Sequence, residues 1–128
     1  MDTDEEKLNS ITEKIIGCAF EVHNTLGPGF AERVCENALV YELVKLGLGV
    51  QQQVPIVVNY KGVVVGEYIA DLIVEGMVLV ENKAVRDFEP GHAAQCINYL
   101  ACTTMPICLL LNFGKKVEVK RFRGPPRQ

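Results

Sequence analysis

The 128-residue sequence predicts an α/β domain, a mixed β-sheet flanked by helices in the order ααβββαββ. Three observations predict it. Two stretches with three- and four-residue apolar spacing, residues 5–26 and 31–46, open the chain. Val- and Ile-rich segments then run over residues 50–84, broken by turn signals at Lys61-Gly62 and Glu75-Gly76. A further helical pattern at 91–101 is followed by two more strand-like segments, 107–113 and 115–122.

Leu8, Ile11, Ile15, Ala19, Val22 and Leu26 make one apolar stripe along the first helix. Gly27-Pro28-Gly29 ends that helix, because proline cannot continue it. Val34, Cys35, Ala38, Leu39, Leu43 and Leu46 are the expected buried side of the second, which Gly47 and Gly49 stop. Pro55 puts the first strand, 50–60, at an edge or an irregular position, since it has no N–H to donate. The second strand covers 63–74 with Gly66 as a candidate bulge, and the third covers 77–84. Ala94, Ile97, Leu100 and Ala101 carry the spacing of the third helix, and Pro106 introduces the fourth strand. One domain over residues 1–122 is expected, with a flexible tail at 123–128 beginning at Gly124-Pro125-Pro126.

Composition narrows the function classes. At 48% hydrophobic and 23% charged residues the chain is an ordinary folded domain, and no apolar run approaches the ~20 residues that span a bilayer. The acidic opening residues lack the basic start of a secretory signal, so a cytoplasmic location is expected. Five cysteines without C-x-x-C spacing disfavour both a disulfide framework and a zinc site, leaving buried free thiols. The net charge is −3, but residues 115–128 hold six Lys or Arg and one Glu. Only that end offers the basic footprint usual in a nucleic-acid binder.

Residues 68–83 carry the anomaly. Apolar residues fill this pair of strands except at Asp71, Glu81 and Lys83, together with Asn82 and the Glu75-Gly76 turn. A charge inside a strand is costly unless it is partnered. Glu81 and Lys83 share a face by the two-residue alternation. A two-residue turn at Glu75-Gly76 would pair Ala70 with Glu81 and send Asp71 to the opposite face. A three-residue loop over 75–77 pairs Asp71 with Glu81 directly, and that register is the one predicted. Two adjacent carboxylates tolerate each other when a hard cation lies between them, and Mg²⁺ is commonly held by one or two carboxylates plus a substrate phosphate. Lys83 would orient the attacking water or stabilise the charge that develops in the transition state. The three residues thus suit phosphodiester cleavage. On spacing alone, a structural salt-bridged trio at a sheet edge is the commoner explanation.

A longer series of pieces bears on the choice. It comprises Gly27-Pro28-Gly29, Gly29-Phe30-Ala31-Glu32-Arg33-Val34-Cys35, Gln53-Val54-Pro55, Gly66-Glu67-Tyr68, Ala70-Asp71-Leu72 and Glu81-Asn82-Lys83-Ala84-Val85. It continues with His92 to Gln95, Asn98-Tyr99-Leu100 and Leu111-Asn112-Phe113-Gly114. In order and spacing these resemble the GxxExxY proteins, a family of the PD-(D/E)XK nuclease superfamily, over residues 8–122. The resemblance implies the nuclease core fold and a divalent metal, Mg²⁺ or Mn²⁺. It implies Asp71 and Glu81 as metal ligands, Lys83 as the catalytic lysine, and Glu32 as a helix carboxylate joining the metal shell. Gln95 matches a glutamine that faces the site in related nucleases, and Gln53 is a weaker candidate for the same cleft. His92, three residues before Gln95, is either a helix-start contact or a phosphate ligand. Two residues depart from the pattern: Cys35 stands where the family has tyrosine, and Asn82 replaces an apolar residue. Asn82 points to the face opposite Glu81, so it is expected to be exposed or hydrogen-bonded.

The expected function is metal-dependent hydrolysis of phosphodiester bonds in DNA, with RNA as the alternative substrate. Lys115, Lys116, Lys120, Arg121 and Arg123 would hold the backbone. Two other readings remain: a non-catalytic binding or assembly module that keeps the nuclease fold, and a hydrolase of another phosphate ester, which the acidic net charge suits. One small domain covers little of a duplex, so a homodimer or a partner subunit is expected.

Overall fold

The structure, a computed structural model, describes residues 3–125. The elements follow the expected order: α1 (Asp4–Leu26), α2 (Glu32–Lys45), β1 (Val50–Tyr60), β2 (Val63–Val74), β3 (Val78–Lys83), α3 (Pro90–Cys102), β4 (Ile107–Phe113) and β5 (Val117–Arg123). The strands form one sheet in the order β1-β2-β3-β4-β5. β3 and β4 run parallel and all other neighbours are antiparallel, so the sheet is mixed and α3 is the crossover between the parallel pair.

Alternation along the central strands sorts their side chains into two cores. Leu72, Val74, Val78, Val80, Ile107, Leu109, Leu111 and Phe113 pack with α1 and α2 on one face. Ile73, Leu79, Cys108 and Leu110 pack with Cys96, Tyr99 and Leu100 of α3 on the other. Thr3 caps α1 by accepting from the Glu6 N–H at 3.1 Å, and the acidic first turn of that helix suits its dipole. The helix stops at Gly27, whose φ of 78° few other residues would accept.

Two helix faces differ from expectation. On α2 the buried residues are Cys35, Glu36, Leu39 and Leu43, whereas Val34 is 42% and Leu46 55% exposed. Val34 lies across the helix from the stripe at 35, 39 and 43, and Leu46 is the C-cap residue beyond the last packed turn. On α3 the stripe is Cys96, Tyr99 and Leu100, with Ile97 turned outward. Apolar residues surround that short helix, so its partner strands rather than its own periodicity select the buried side.

The hairpins fix the register that matters. Lys61 and Gly62 both have positive φ, as a two-residue turn matching the strand twist requires. An extra residue, Val65, bulges between the pairs Val58↔Gly66 and Asn59↔Val64, one position before the expected Gly66. Between β2 and β3 the last pair is Val74↔Val78, so the loop has three residues as predicted, and Met77 belongs to it rather than to β3. Glu75 in that loop is tied to Gly49 twice: its N–H donates to the Gly49 carbonyl at 2.7 Å, and its carboxylate accepts from the Gly49 N–H at 2.6 Å. β5 begins at Val117 because residues 114–116 form the preceding turn. Arg123 belongs to β5 and not to a tail, and residues 126–128 of the expected tail lie outside the described residues. The five cysteines are free. Among the described residues no helix is long and apolar enough to cross a membrane.

Candidate active site

Strand β2 pairs with β3 as far as Leu72↔Val80, which places Asp71 opposite Glu81 in the same register. There the backbone ladder gives way to an exchange of side chains. The Asp71 N–H donates to Glu81 Oε1 at 2.9 Å, and the Asn82 N–H donates to Asp71 Oδ2 at 2.7 Å. Each carboxylate thus occupies a place in the gap between two parting strands, fixed by a backbone donor of the opposite strand. Each keeps one oxygen outside these two bonds.

Burial dominates the electrostatics. Glu81 is 2% exposed; burial, then the Asp71 charge, pushes its carboxyl up to about 8, against the Asp71 N–H and Lys83. Asp71 is half-buried and pushed up to about 6, by burial first, with the charges of Glu36 and Glu32 adding and the Asn82 N–H opposing. Lys83 lies within electrostatic reach of Glu81, yet it makes no ion pair within 4.0 Å among the described residues. The salt-bridged trio that spacing alone allowed is therefore not formed.

Glu32 opens α2 and is exposed; its charge acts on both Asp71 and Glu81, but it bonds to neither. Gln53 comes close from β1, its Nε2 lying 3.4 Å from Asp71 Oδ1. That nitrogen also donates to Glu36 at 2.9 Å. Glu36, 1% exposed, is a site-adjacent carboxylate that sequence reasoning did not single out. No sequence signal set it apart, because the buried side of α2 shows only once the helix is packed. Tyr99 was also missed as a neighbour of the site. Its hydroxyl donates to the Ile69 carbonyl at 3.1 Å, and the charges of Glu81 and Asp71 help burial raise its pKa.

Other candidates stand further off. Gln95 is half-buried one turn before Tyr99 and bonds to neither carboxylate among the described residues. His92 serves the helix start, where its Nδ1 accepts from the Glu89 N–H at 3.0 Å in a capping box. The basic residues do not form one surface. Arg123 pairs with Glu5 at 2.6 Å and Arg121 donates to Asn9 at 3.0 Å, both against the N-terminal part of α1. Lys120 lies over the Phe88 ring at 5.3 Å. Lys115 and Lys116 are exposed on the β4–β5 turn, which follows the end of β4 that pairs with Lys83.

Asn112 and Gly114 shape the segment after Lys83. The Asn112 amide accepts from the Val85 N–H at 2.9 Å and donates to its carbonyl at 2.8 Å, a two-point clamp. Gly114 must be glycine, because a Cβ there would collide with the Val85 carbonyl. Asn82 contradicts expectation: it is 0% exposed, and neither atom of its side-chain amide has a hydrogen-bond partner. It follows Val80 in alternation onto the α1–α2 face, where apolar residues pack. Nothing in the structure explains an amide there; its backbone N–H is what serves the site.

The donor set can be tested against a divalent cation. No group of three or more His, Cys, Asp or Glu able to hold a metal forms among the described residues, so Glu32 does not complete a cage with the pair. Two fixed carboxylates, whose oxygens can each accept more than one partner, still suit a hard ion that keeps several waters and takes further oxygens from a phosphate. Their pKa values are raised chiefly by burial, a cost that a bound cation would offset.

A family model described as the PD-(D/E)XK nuclease superfamily matches residues 9–122. Among solved structures, an alkaline exonuclease (LHK-Exo) from Laribacter hongkongensis aligns with a TM-score of 0.56 and 14% identity, over 98% of this chain and 73% of that one. The protein SSO0001 aligns with a TM-score of 0.58 and 17% identity, over 74% of this chain and 50% of the other, so the alignment takes in half of that chain. At these identities the two structures show the fold alone. No curated protein matches the sequence.

Proposed function

The chain belongs to the PD-(D/E)XK nuclease superfamily, and from that premise we propose that it is a metal-dependent nuclease hydrolysing phosphodiester bonds of DNA, with RNA as the second substrate to try. The observation that carries the proposal is the exchange of side chains between Asp71 and Glu81, which fixes a half-buried and a buried carboxylate on adjoining strands. Asp71 and Glu81 would hold Mg²⁺ or Mn²⁺. Bound there, the ion would supply charge neutralisation at a phosphoryl oxygen and a water of lowered pKa. Lys83 presents its ammonium near Glu81, where it orients the attacking water or neutralises charge on the phosphate as the bond breaks. Glu32, from the start of α2, adds negative field at the pair, which attracts a cation there as it attracts a proton. Gln95, one turn before Tyr99, is the candidate for a hydrogen bond to substrate. Lys115 and Lys116, on the β4–β5 turn, are the candidates for contact with the flanking phosphates. The narrower GxxExxY assignment rests on the sequence pieces around Gly29, Glu32 and Glu81.

The test is cleavage of single- and double-stranded oligonucleotides with Mg²⁺ or Mn²⁺, together with calorimetric Mn²⁺ binding. Asp71→Asn and Glu81→Gln should lose both. Lys83→Ala should keep Mn²⁺ binding and lose cleavage by about 10²–10³-fold, the scale of removing one transition-state charge contact. Full cleavage by the Asp71 or Glu81 variant ends the proposal. A second reading, an assembly module on the same fold, is favoured by the β1–β2 hairpin. Val63, Val64 and Val65 there are each at least 60% exposed, as is Tyr60. A homodimer or a stable complex in light scattering, with no metal binding, would select it.

A further inference from the structure

We propose that Glu36 is a positioning residue: it locks the Gln53 amide, and the locked amide holds the Asp71 carboxylate in the orientation that a cation requires. The inference rests on the reading that Asp71 and Glu81 hold a metal, and it adds two residues that lie outside the acidic pair.

Adjacent residues of a regular strand point to opposite faces. Gln52 and Gln53 nevertheless both reach Glu36, Gln52 Nε2 at 2.7 Å and Gln53 Nε2 at 2.9 Å. The backbone makes this happen. Gln53 has a φ of 55°, a left-handed conformation that is strained for a non-glycine residue, while its neighbours Gln52 and Val54 stay paired with Leu72 and Ala70. The strand departs from regular geometry at the one residue that spans Glu36 and Asp71.

Chemistry fixes the amide's direction. Its NH₂ end lies between two carboxylates, Glu36 at 2.9 Å and Asp71 Oδ1 at 3.4 Å. With the oxygen turned inward, the amide would face acceptors on both sides. Glu36 is 1% exposed, so it needs such donors. Asp71 is then addressed on both oxygens, Oδ2 by the Asn82 N–H and Oδ1 by Gln53. Outer partners of this kind commonly tune metal affinity by about 10–100-fold.

Glu36 could instead serve only to anchor β1 on α2, and Gln52 separates the two roles. It is an equal partner of Glu36, it also donates to Asn37 Oδ1 at 2.7 Å, and it makes no bond to Asp71. Four variants are compared: Glu36→Gln, Gln53→Gly, Gln52→Ala and the double variant Glu36→Gln/Gln53→Gly. Glycine at 53 removes the amide yet accepts the left-handed backbone, so this variant folds. One measurement needs no metal: exchange of the Asp71 and Asn82 amide protons by NMR. The other is the Mn²⁺ dissociation constant by calorimetry. Glu36→Gln and Gln53→Gly should each speed exchange at Asn82 and weaken Mn²⁺ about tenfold, with the double variant no worse than either single. Gln52→Ala should stay within twofold of wild type in both. Wild-type exchange and affinity in Gln53→Gly, additive losses in the double variant, or an equal loss in Gln52→Ala would each overturn the positioning role while leaving the nuclease reading intact. Absence of Mn²⁺ binding in the wild type would instead strike the metal reading, and this inference with it.

Discussion

Asp71 and Glu81 hold their protons more tightly than free carboxylic acids because burial removes the water that stabilises a carboxylate, and because nearby carboxylates add to the effect, Asp71 at Glu81 and Glu36 and Glu32 at Asp71. The stability effect has a definite sign. Both folded pKa values are raised, Asp71 from 3.8 to about 6 and Glu81 from 4.5 to about 8. Over that range the native state therefore binds more protons than the unfolded chain. The contribution of these groups is fully present below about pH 4 and is lost as pH rises to about 8. Metal-free protein should melt at falling temperature across this window, while Asp71→Asn and Glu81→Gln flatten the dependence. Mn²⁺ competes with the same protons, so its affinity should rise with pH over the same range, and calorimetry in buffers of different ionisation enthalpy should register released protons. A melting temperature that climbs from pH 5 to 8 would contradict the shifts. Asn82 gives a second test at this scale. An amide buried without partners costs about 1–3 kcal/mol, so Asn82→Leu, nearly isosteric, should stabilise the protein by about that amount in denaturant titration. Its backbone N–H still reaches Asp71, so metal binding should persist. Asp71, Glu81 and Lys83 were legible in the sequence because a charge inside an apolar strand is conspicuous. Glu36 was not, because one Glu in a helix with charged neighbours reads as solvated surface until the helix is seen packed.

Register decides whether the residues meet, and at the level of elements it was legible too. Turn residues at Lys61-Gly62 and Gly27-Pro28-Gly29 bounded the strands and the first helix to within a residue or two. The requirement that Asp71 oppose Glu81 selected the three-residue loop. What the sequence did not disclose was which side of α2 and α3 would pack. Both helices carry apolar residues around much of their circumference, and the facing strands make the choice. The clamp after Lys83 was equally hidden, since Asn112 and Gly114 act on a segment about thirty residues earlier. Gly114→Ala tests how far this clamp matters. The added carbon must displace the Val85 carbonyl or the Asn112 amide, an overpacking error that costs about 1–3 kcal/mol. Denaturant titration should show that loss. Because the displaced segment follows Lys83 directly, cleavage should fall more than Mn²⁺ binding does. Unchanged stability would mean that the β4–β5 turn yields freely.

Across the whole molecule, charge is where the sequence-based expectation fares worst. Five basic residues near the C-terminus suggested one surface for a phosphate backbone. Strand geometry divides them instead, because alternation sends Arg121 and Arg123 to α1 and Lys120 to Phe88 on the other face. Glu5 and Asn9 then occupy both guanidinium groups. Lys115 and Lys116 remain exposed at the end of the sheet where β3 delivers Lys83. Of these five basic residues, nucleic-acid affinity should therefore respond to Lys115 and Lys116. Each phosphate contact contributes about 0.7–0.9 to the slope of log K against log salt. In Asp71→Asn protein, which should bind without cutting, Lys115→Ala and Lys116→Ala should each lower that slope by about 0.7–0.9 and weaken binding at low salt. Arg121→Ala and Arg123→Ala should leave the slope unchanged and lower stability at most slightly, since solvent screens exposed ion pairs. Anisotropy of a labelled oligonucleotide across a salt series measures all four. A reversed pattern, with slope lost in the arginine variants, would place the bound strand along β5 and α1 and separate binding from the carboxylate pair.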